Sequence, residues 1–597
     1  MKKTLLFSVA LAGLMLGSCS SSDDLNGGGN NTGSNQSGNG YVAFNINLPS
    51  QAGSSSRAND DFKDGMKSEY DVKDATLLVF EGADEANAQF KGAYKLNTAP
   101  WNDKDANENI TTTSATVVKQ IDTPVSASNC YALVVLNNNG VFTVDELNKK
   151  ITLAGASTAF TGTYDEFAKN LSDKDLTSKG FYMANAPLAD APGGSTPITS
   201  VNVKTLVNLD GKIKESESAA KGAPAQIYVE RGVAKVTMQN KSTSTSMPTT
   251  VDGSTKSDGT SVDFKITSWA LDNTNKKTYL VRSTDGFGDW ANLASNSTSV
   301  LADKYRFVGS NAVATGLYRT YFAKDANYTA TENENAITAK DLVTSATPSF
   351  ESTFGDENPI YCFENTFDVA SQLDKFTTRV LIKAELNSKQ TFYVINGDEN
   401  TIYSIDEVKN EIKKYYLIEN EAWIKANVTV ASGKTKVDGD DLDVEISDAA
   451  GQVSITSITF KTGATGVTID PSATVPNNYA DVMKRIGTID EYKDGESYYF
   501  VRIKHFGDDL TPWKNNEIPL PSTSSVYPTD NQAGNYLGRY GVLRNNWYDI
   551  SVTGVKGLGS ATVPDVTTDT DDELKSYIAV QINVLSWAKR TQGAILH

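Results

Sequence analysis

The sequence predicts an all-β protein. Short runs of alternating apolar and polar residues recur between turns rich in Gly, Asn, Asp and Ser. Helical spacing is rare and brief. A strand near the N-terminus is also matched, residue type by residue type, by one near the C-terminus. Many short strands with regular turns indicate sandwiches or barrels.

In chain order, Lys2 and Lys3 precede an apolar stretch, Leu5 to Leu16, too short to span a bilayer. It ends in Leu16-Gly17-Ser18-Cys19, the small residues before a single Cys that mark a bacterial lipobox. Residues 1–19 therefore read as a lipoprotein signal peptide, with Cys19 as the lipidation site. Residues 20–40 are Ser, Asn, Gly and Asp with little to bury, which makes them a flexible tether.

Residues 41–57 form a strand and a loop. Val42, Phe44, Ile46 and Leu48 share one face; Ala43, Asn45 and Asn47 take the other. Pro49 stops the strand, and the Ser/Gly loop after it carries a lone Arg57 followed by Ala58. Small polar flanks let such a loop lie extended in a protease cleft.

The body offers strand candidates at 75–80, 115–121, 130–136, 227–238, 262–271, 278–281, 378–386, 390–395, 453–460, 497–504 and 547–555. Capping boxes at Thr143–Glu146, Thr163–Glu166 and Ser404–Glu407 signal short helices, the last leading into the best helical stretch, Val408 to Ile418. Residues 241–260 are the most linker-like internal stretch. They place a boundary between an N-terminal sandwich, 58–245, and a C-terminal one, 246–575. At the far end, 576–597, Ile578, Val580, Ile582 and Val584 alternate as Val42, Phe44, Ile46 and Leu48 do. Two segments at opposite ends look built for one slot, the logic of a chain that polymerises by strand exchange.

Composition narrows the function. A net charge of −18 argues against nucleic acid as a partner and against charge-driven adhesion to anionic lipid. With Cys19 assigned to lipid, Cys130 and Cys362 sit in apolar strand-like runs and read as separate buried thiols. The histidines are His505 and His597, and no metal-binding, Walker or zinc-protease motif is present, so no cofactor, metal or catalytic residue is expected. The acidic run 437–443 has the wrong spacing for a calcium loop and reads as a solvated turn. Trp513, Trp547 and Trp587 suit sugar stacking or a core.

Five phrases resemble the fimbrillins of Bacteroidales type V pili, the FimA/Mfa-like major fimbrial subunits. They are Tyr228 to Val236 (YVERGVAKV), Tyr361 to Thr366 (YCFENT), Thr377 to Val380 (TTRV), Leu543 to Tyr548 (LRNNWY) and Val584 to Trp587 (VLSW). The resemblance implies two tandem transthyretin-like β-sandwich domains with a few short helices. It implies export as an outer-membrane lipoprotein, trypsin-like cleavage between Arg57 and Ala58, and donor-strand exchange into a cell-surface fimbria. The partners it implies are identical or related subunits, an Arg-specific protease, the outer membrane before cleavage, and an adhesion ligand on a host or bacterial surface. The donor strand would present Ile578, Val580, Ile582 and Val584, and the displaced strand Val42, Phe44, Ile46 and Leu48. The segment 285–357 departs from the family in size. Competing readings are a tip or anchor subunit, or a surface glycan-binding lipoprotein or hydrolase.

Overall fold

Strict alternation from Val42 to Leu48 gives a strand with one fully apolar face, and such a strand is stable only where that face is covered. The computed structural model describes residues 39–48, 66–102, 114–192, 201–239, 248–287, 307–326, 336–337, 350–366, 373–449, 451–463, 466–505, 540–567, 578–579, 581–585 and 592–596. Within them, β1 (Gly40–Asn47) is an interior strand of an eight-stranded sheet. Its companions are β2 (Ala75–Glu81), β3 (Gln89–Lys95), β4 (Ser114–Ile121), β5 (Cys130–Leu136), β6 (Met183–Asn185) and β7 (Ala225–Arg231). They run in the order β3-β2-β5-β6-β7-β1-β4, with Val207–Asn208 added on β5.

This sheet curls until its edges approach. The backbone N–H of Asp122, just past β4, donates to the Tyr94 hydroxyl of β3 at 3.0 Å. Inside lies a core of Val42, Phe44, Ile46, Leu77, Leu133, Val135, Phe167 and Ile227. Over β1 and β4 lies a short helix, α1 (Glu217–Lys221), N-capped by Ser216.

The chain then changes sheets. Sequence alternation reads 227–238 as one strand, but it splits at Gly232-Val233 into β7 and β8 (Ala234–Gln239). A Cβ at Gly232 would stand 2.8 Å from the Tyr182 ring, so only glycine lets the backbone pass so close. β8 pairs antiparallel with β9 (Ile360–Cys362) and parallel with β10 (Trp547–Val555). A five-stranded sheet faces it, built from Thr401–Ile402, Thr250–Lys256, Ser261–Asp272, Arg379–Leu386 and Glu496–Arg502. Val236, Ile550, Val552, Phe264, Val380, Ile382 and Val501 fill the space between. The part of the linker-like stretch at Thr250–Lys256 is therefore strand, because its backbone pairs with Ser261–Asp272.

Two smaller cores flank these. One gathers around helix α2 (Ile405–Glu419), whose Val408, Ile412 and Tyr416 are buried and whose Ser404–Glu407 capping box is closed. The Thr163–Glu166 box also forms, on a helix at Tyr164–Ala168. Thr143–Glu146 does not start a helix. Phe142–Asp145 and Lys150–Leu153 make a hairpin instead, because Phe142 and Val144 share one face of their strand opposite Leu153 and Ile151, an alternation that a helix would break. The other small core includes Ala189, Phe307, Val308 and Phe322. There the hairpin of Val308–Ala314 and Leu317–Thr320, inside the oversized 285–357 segment, pairs with Leu188–Ala189.

Candidate functional site: the β1 slot and the sheet junction

β1 lies parallel to β7 and antiparallel to β4, with Phe44 beside Ala225 on one side and Val117 on the other. Val42, Phe44 and Ile46 are 0 % exposed and Leu48 is 2 % exposed. Val117, Ile121, Ile227 and Val229, all buried, continue this apolar surface on the neighbouring strands. The opposite face of β1 is polar and specific. Asn45 Nδ2 donates to Gln226 Oε1 at 2.9 Å, and Ser114 Oγ donates to Asn45 Oδ1 at 2.8 Å. Asn47 Nδ2 donates to the Ile227 carbonyl at 3.1 Å. Ala43 is 1 % exposed although it points away from the core. Just before this, Tyr41 and Lys214 exchange backbone hydrogen bonds of 2.8 Å.

Cys19, Arg57, Ala58 and Val580 lie outside the described residues. The chain re-enters them at Met66, beside the point where the two sheets meet. A one-turn 3-10 helix, Lys67–Tyr70, places Glu69 between them. Glu69 Oε1 accepts from Lys235 Nζ of β8 at 2.7 Å and from the Tyr361 hydroxyl of β9 at 2.6 Å. The Glu69 carbonyl accepts from Arg231 Nε of β7 at 3.0 Å, and the guanidinium lies over the Tyr70 ring. Burial pushes the Lys235 amine down, and the Glu69 carboxylate beside it works against that shift.

More buried charge stitches the sheets together. Arg282 Nε donates to Glu230 Oε1 at 2.9 Å. Arg544 donates to Glu364 at 2.5 Å and to the Thr278 hydroxyl and Tyr279 carbonyl at 2.9 Å. Burial raises the Glu230 carboxyl, with Arg282 opposing it. Sequence reasoning did not find these roles. The signal was present: charged residues inside otherwise apolar phrases, as in YVERGVAKV and LRNNWY. Three of the phrases that carry the resemblance supply Arg231, Lys235, Tyr361, Glu364 and Arg544 to these contacts; a fourth supplies Arg379, whose buried guanidinium donates to Asp272 at 2.7 Å within the five-stranded sheet.

At the C-terminus the backbone forms β11 (Ile578–Ala579), β12 (Gln581–Leu585) and β13 (Gln592–Leu596). β12 pairs antiparallel with β10, Val584 opposite Tyr548, and β13 pairs with both β10 and β11. In the intact chain the segment read as donor thus lies on the sheet of its own second core.

Other candidate positions take structural places. Cys130 and Cys362 are free and buried, and desolvation pushes their thiols up to about 11 and about 12. His505 is 7 % exposed, with Nδ1 2.8 Å from the Tyr548 hydroxyl. Trp547 is in the core, its Nε1 donating to Thr237 Oγ1 at 2.7 Å. In the acidic turn, the Lys434 ammonium reaches Asp441 at 2.7 Å and Asp438 at 3.1 Å. Among the described residues no group of His, Cys, Asp or Glu could hold a metal, and no helix is long and apolar enough to cross a membrane.

Residues 524–593 match the family model of the major fimbrial subunit protein type IV, fimbrillin, C-terminal. The chain is similar to the fimbrillins. Its β-rich architecture agrees with that likeness, and the matched family is structural rather than enzymatic. No curated protein matches. A protein from Bacteroides eggerthii provisionally described as a cell adhesion protein is 12% identical over 94% of this chain and 99% of that one, with TM-score 0.31. The tip fimbrial protein Mfa3 from Porphyromonas gingivalis is 10% identical over 58% of this chain and 77% of the other, with TM-score 0.23. A fimbrial assembly protein from Parabacteroides distasonis is 11% identical over 72% and 99%, with TM-score 0.22.

Proposed function

We propose that this chain is a shaft subunit of a surface pilus, made as a lipoprotein on Cys19, matured by cleavage after Arg57 and polymerised by donor-strand exchange. The match of residues 524–593 to the fimbrillin model supports the pilus role. The observation that carries the mechanism is the position of β1. It is an interior strand, hydrogen-bonded on both sides, whose chain leads at residues 49–65 toward an arginine that a trypsin-like protease would cut.

Loss of β1 would leave two facing rows of main-chain groups and an apolar floor, a template for another strand. Burying a side chain such as those of Val42, Phe44, Ile46 and Leu48 contributes about 1.5 to 3 kcal/mol. The uncut chain is then a closed monomer. After the cut, Val42–Leu48 leaves and Ile578–Val584 of a second copy takes its place. Head-to-tail donation is heterologous and extends into a filament. The N-terminal unit 58–245, the C-terminal unit 246–575 and the donor 576–597 are the parts this mechanism uses, and the lipid holds the subunit at the outer membrane until the cut.

The test compares wild type with Arg57→Ala. Surface-sheared wild-type material should begin at Ala58 and run as a ladder of polymers. Arg57→Ala should accumulate as uncut monomer. A normal ladder from Arg57→Ala, with Val42–Leu48 retained, would reject the maturation step.

A further inference from the structure

The β1 slot distinguishes side chains on both faces, and this bears on how a second copy enters it. On the core face it holds a row of apolar residues. On the other face it makes three discriminations in succession. The site of Ala43 is 1 % exposed, so it has room for little beyond a methyl group. The site of Asn45 offers the Gln226 amide and the Ser114 hydroxyl. The site of Asn47 offers the Ile227 carbonyl.

We infer that residues 578–584 of a neighbouring copy enter this slot in a single register, Ile578 at the place of Val42 and Val584 at the place of Leu48, and that Ala579, Gln581 and Asn583 select it. The inference rests on the strand-exchange reading and adds the pairing that exchange adopts. A slip of one residue turns every apolar side chain to the wrong face. A slip of two residues keeps the faces and must be rejected by the polar side. Slipped one way, Gln581 falls on the closed Ala43 site and Leu585 on the Asn47 site, leaving the Ile227 carbonyl without its amide. Slipped the other way, Tyr577 falls on the closed Ala43 site and Ala579 on the Asn45 site, where the hydrogen bonds to the solvent-exposed Gln226 and Ser114 side chains are lost. In step, an alanine meets the closed site and amides meet both polar ones.

The same register puts Val580 where Phe44 stands. Phe44 is among the largest fully buried side chains, so the donor leaves part of that site unfilled. The chain's own strand is the better fit, which keeps the uncut subunit closed until cleavage removes the competitor.

Disulfide trapping reads the register. Val118 of β4 is opposite Ala43. One full-length population carries Val118→Cys, and another carries Tyr577→Cys, Ala579→Cys or Gln581→Cys; the native thiols Cys130 and Cys362 are buried. Both populations are cut at Arg57, mixed, polymerised and oxidised. Cross-linking should occur with Ala579→Cys, at least tenfold above the other two. Polymers that cross-link through Tyr577→Cys or Gln581→Cys instead would overturn the register and leave exchange standing. Polymers with no cross-link at any position would overturn insertion at this slot, and failure to polymerise at all would overturn the exchange reading itself. In a Gln581→Leu, Asn583→Leu background the cross-links should spread over neighbouring positions; an unchanged pattern would remove the amides from the selection.

Discussion

The Nζ of Lys235 lies 2.7 Å from Oε1 of Glu69, and both side chains are 0 % exposed. Glu69 belongs to the segment that follows residues 49–65, and Lys235 to the first strand of the second sheet. A buried ion pair with the Tyr361 hydroxyl on the same oxygen thus fixes the chain just downstream of residues 49–65. In a cut subunit this contact would let β1 leave while the chain from Met66 onward stays docked.

Replacing Lys235 with Met should destabilise the uncut chain by about 3 to 5 kcal/mol, because Glu69 is left buried without its cation. The double variant Lys235→Met, Glu69→Leu should recover much of that loss, since a buried pair exchanged for apolar side chains is often close to neutral. Urea unfolding of the three proteins checks it. A single variant within about 0.5 kcal/mol of wild type, the scale of ordinary surface changes, would show that the pair contributes little.

Ile46→Asp places a carboxylate on the core face of β1 at a site that is 0 % exposed. Burial of an unpaired charge costs several kcal/mol, so the strand should be expelled. In an Arg57→Ala background this variant should polymerise without cleavage, whereas Arg57→Ala alone stays monomeric. Gel ladders report the difference, and a monomeric double variant would show that freeing β1 is insufficient.

Cys362 and Cys130 give the chain a sensitivity to alkali. Their thiols are raised in the folded state to about 12 and about 11, from an ordinary value near 9. Groups raised on folding contribute stability below the unfolded value and lose it as pH climbs through the folded one. Stability should therefore fall between pH 9 and 12, at about 1.4 kcal/mol per pH step for Cys362. Cys362→Ala should flatten that limb in chemical denaturation, and neither thiol should react with a bulky thiol reagent until the protein unfolds.

Deleting Tyr577 to His597 should leave a folded subunit that is cut at Arg57 but cannot extend a chain. In the intact chain this segment pairs with β10, so the deletion also bares that edge and should lower solubility. Mixed with wild type, the truncated subunit should shorten polymers in proportion to its share. Unchanged polymer length would return the strand to its own sheet alone.

The sequence by itself determined the inward face of β1. Val42, Phe44, Ile46 and Leu48 alternate, and alternation has one solution in a half-buried strand. The capping boxes at Thr163 and Ser404 were equally legible, being local. Tertiary structure alone decided the rest. The alternating run 227–238 gave no hint of the break at Gly232-Val233, because the break serves a change of sheet, not a local preference. Thr143 lost its helix to a hairpin in which it pairs with Thr152 while Phe142 and Ile151 are buried. The pairing of Glu69 with Lys235, across 166 residues, depends on two sheets meeting. Periodicity reports which way a side chain faces; which distant group it meets there is set only when the sheets pack.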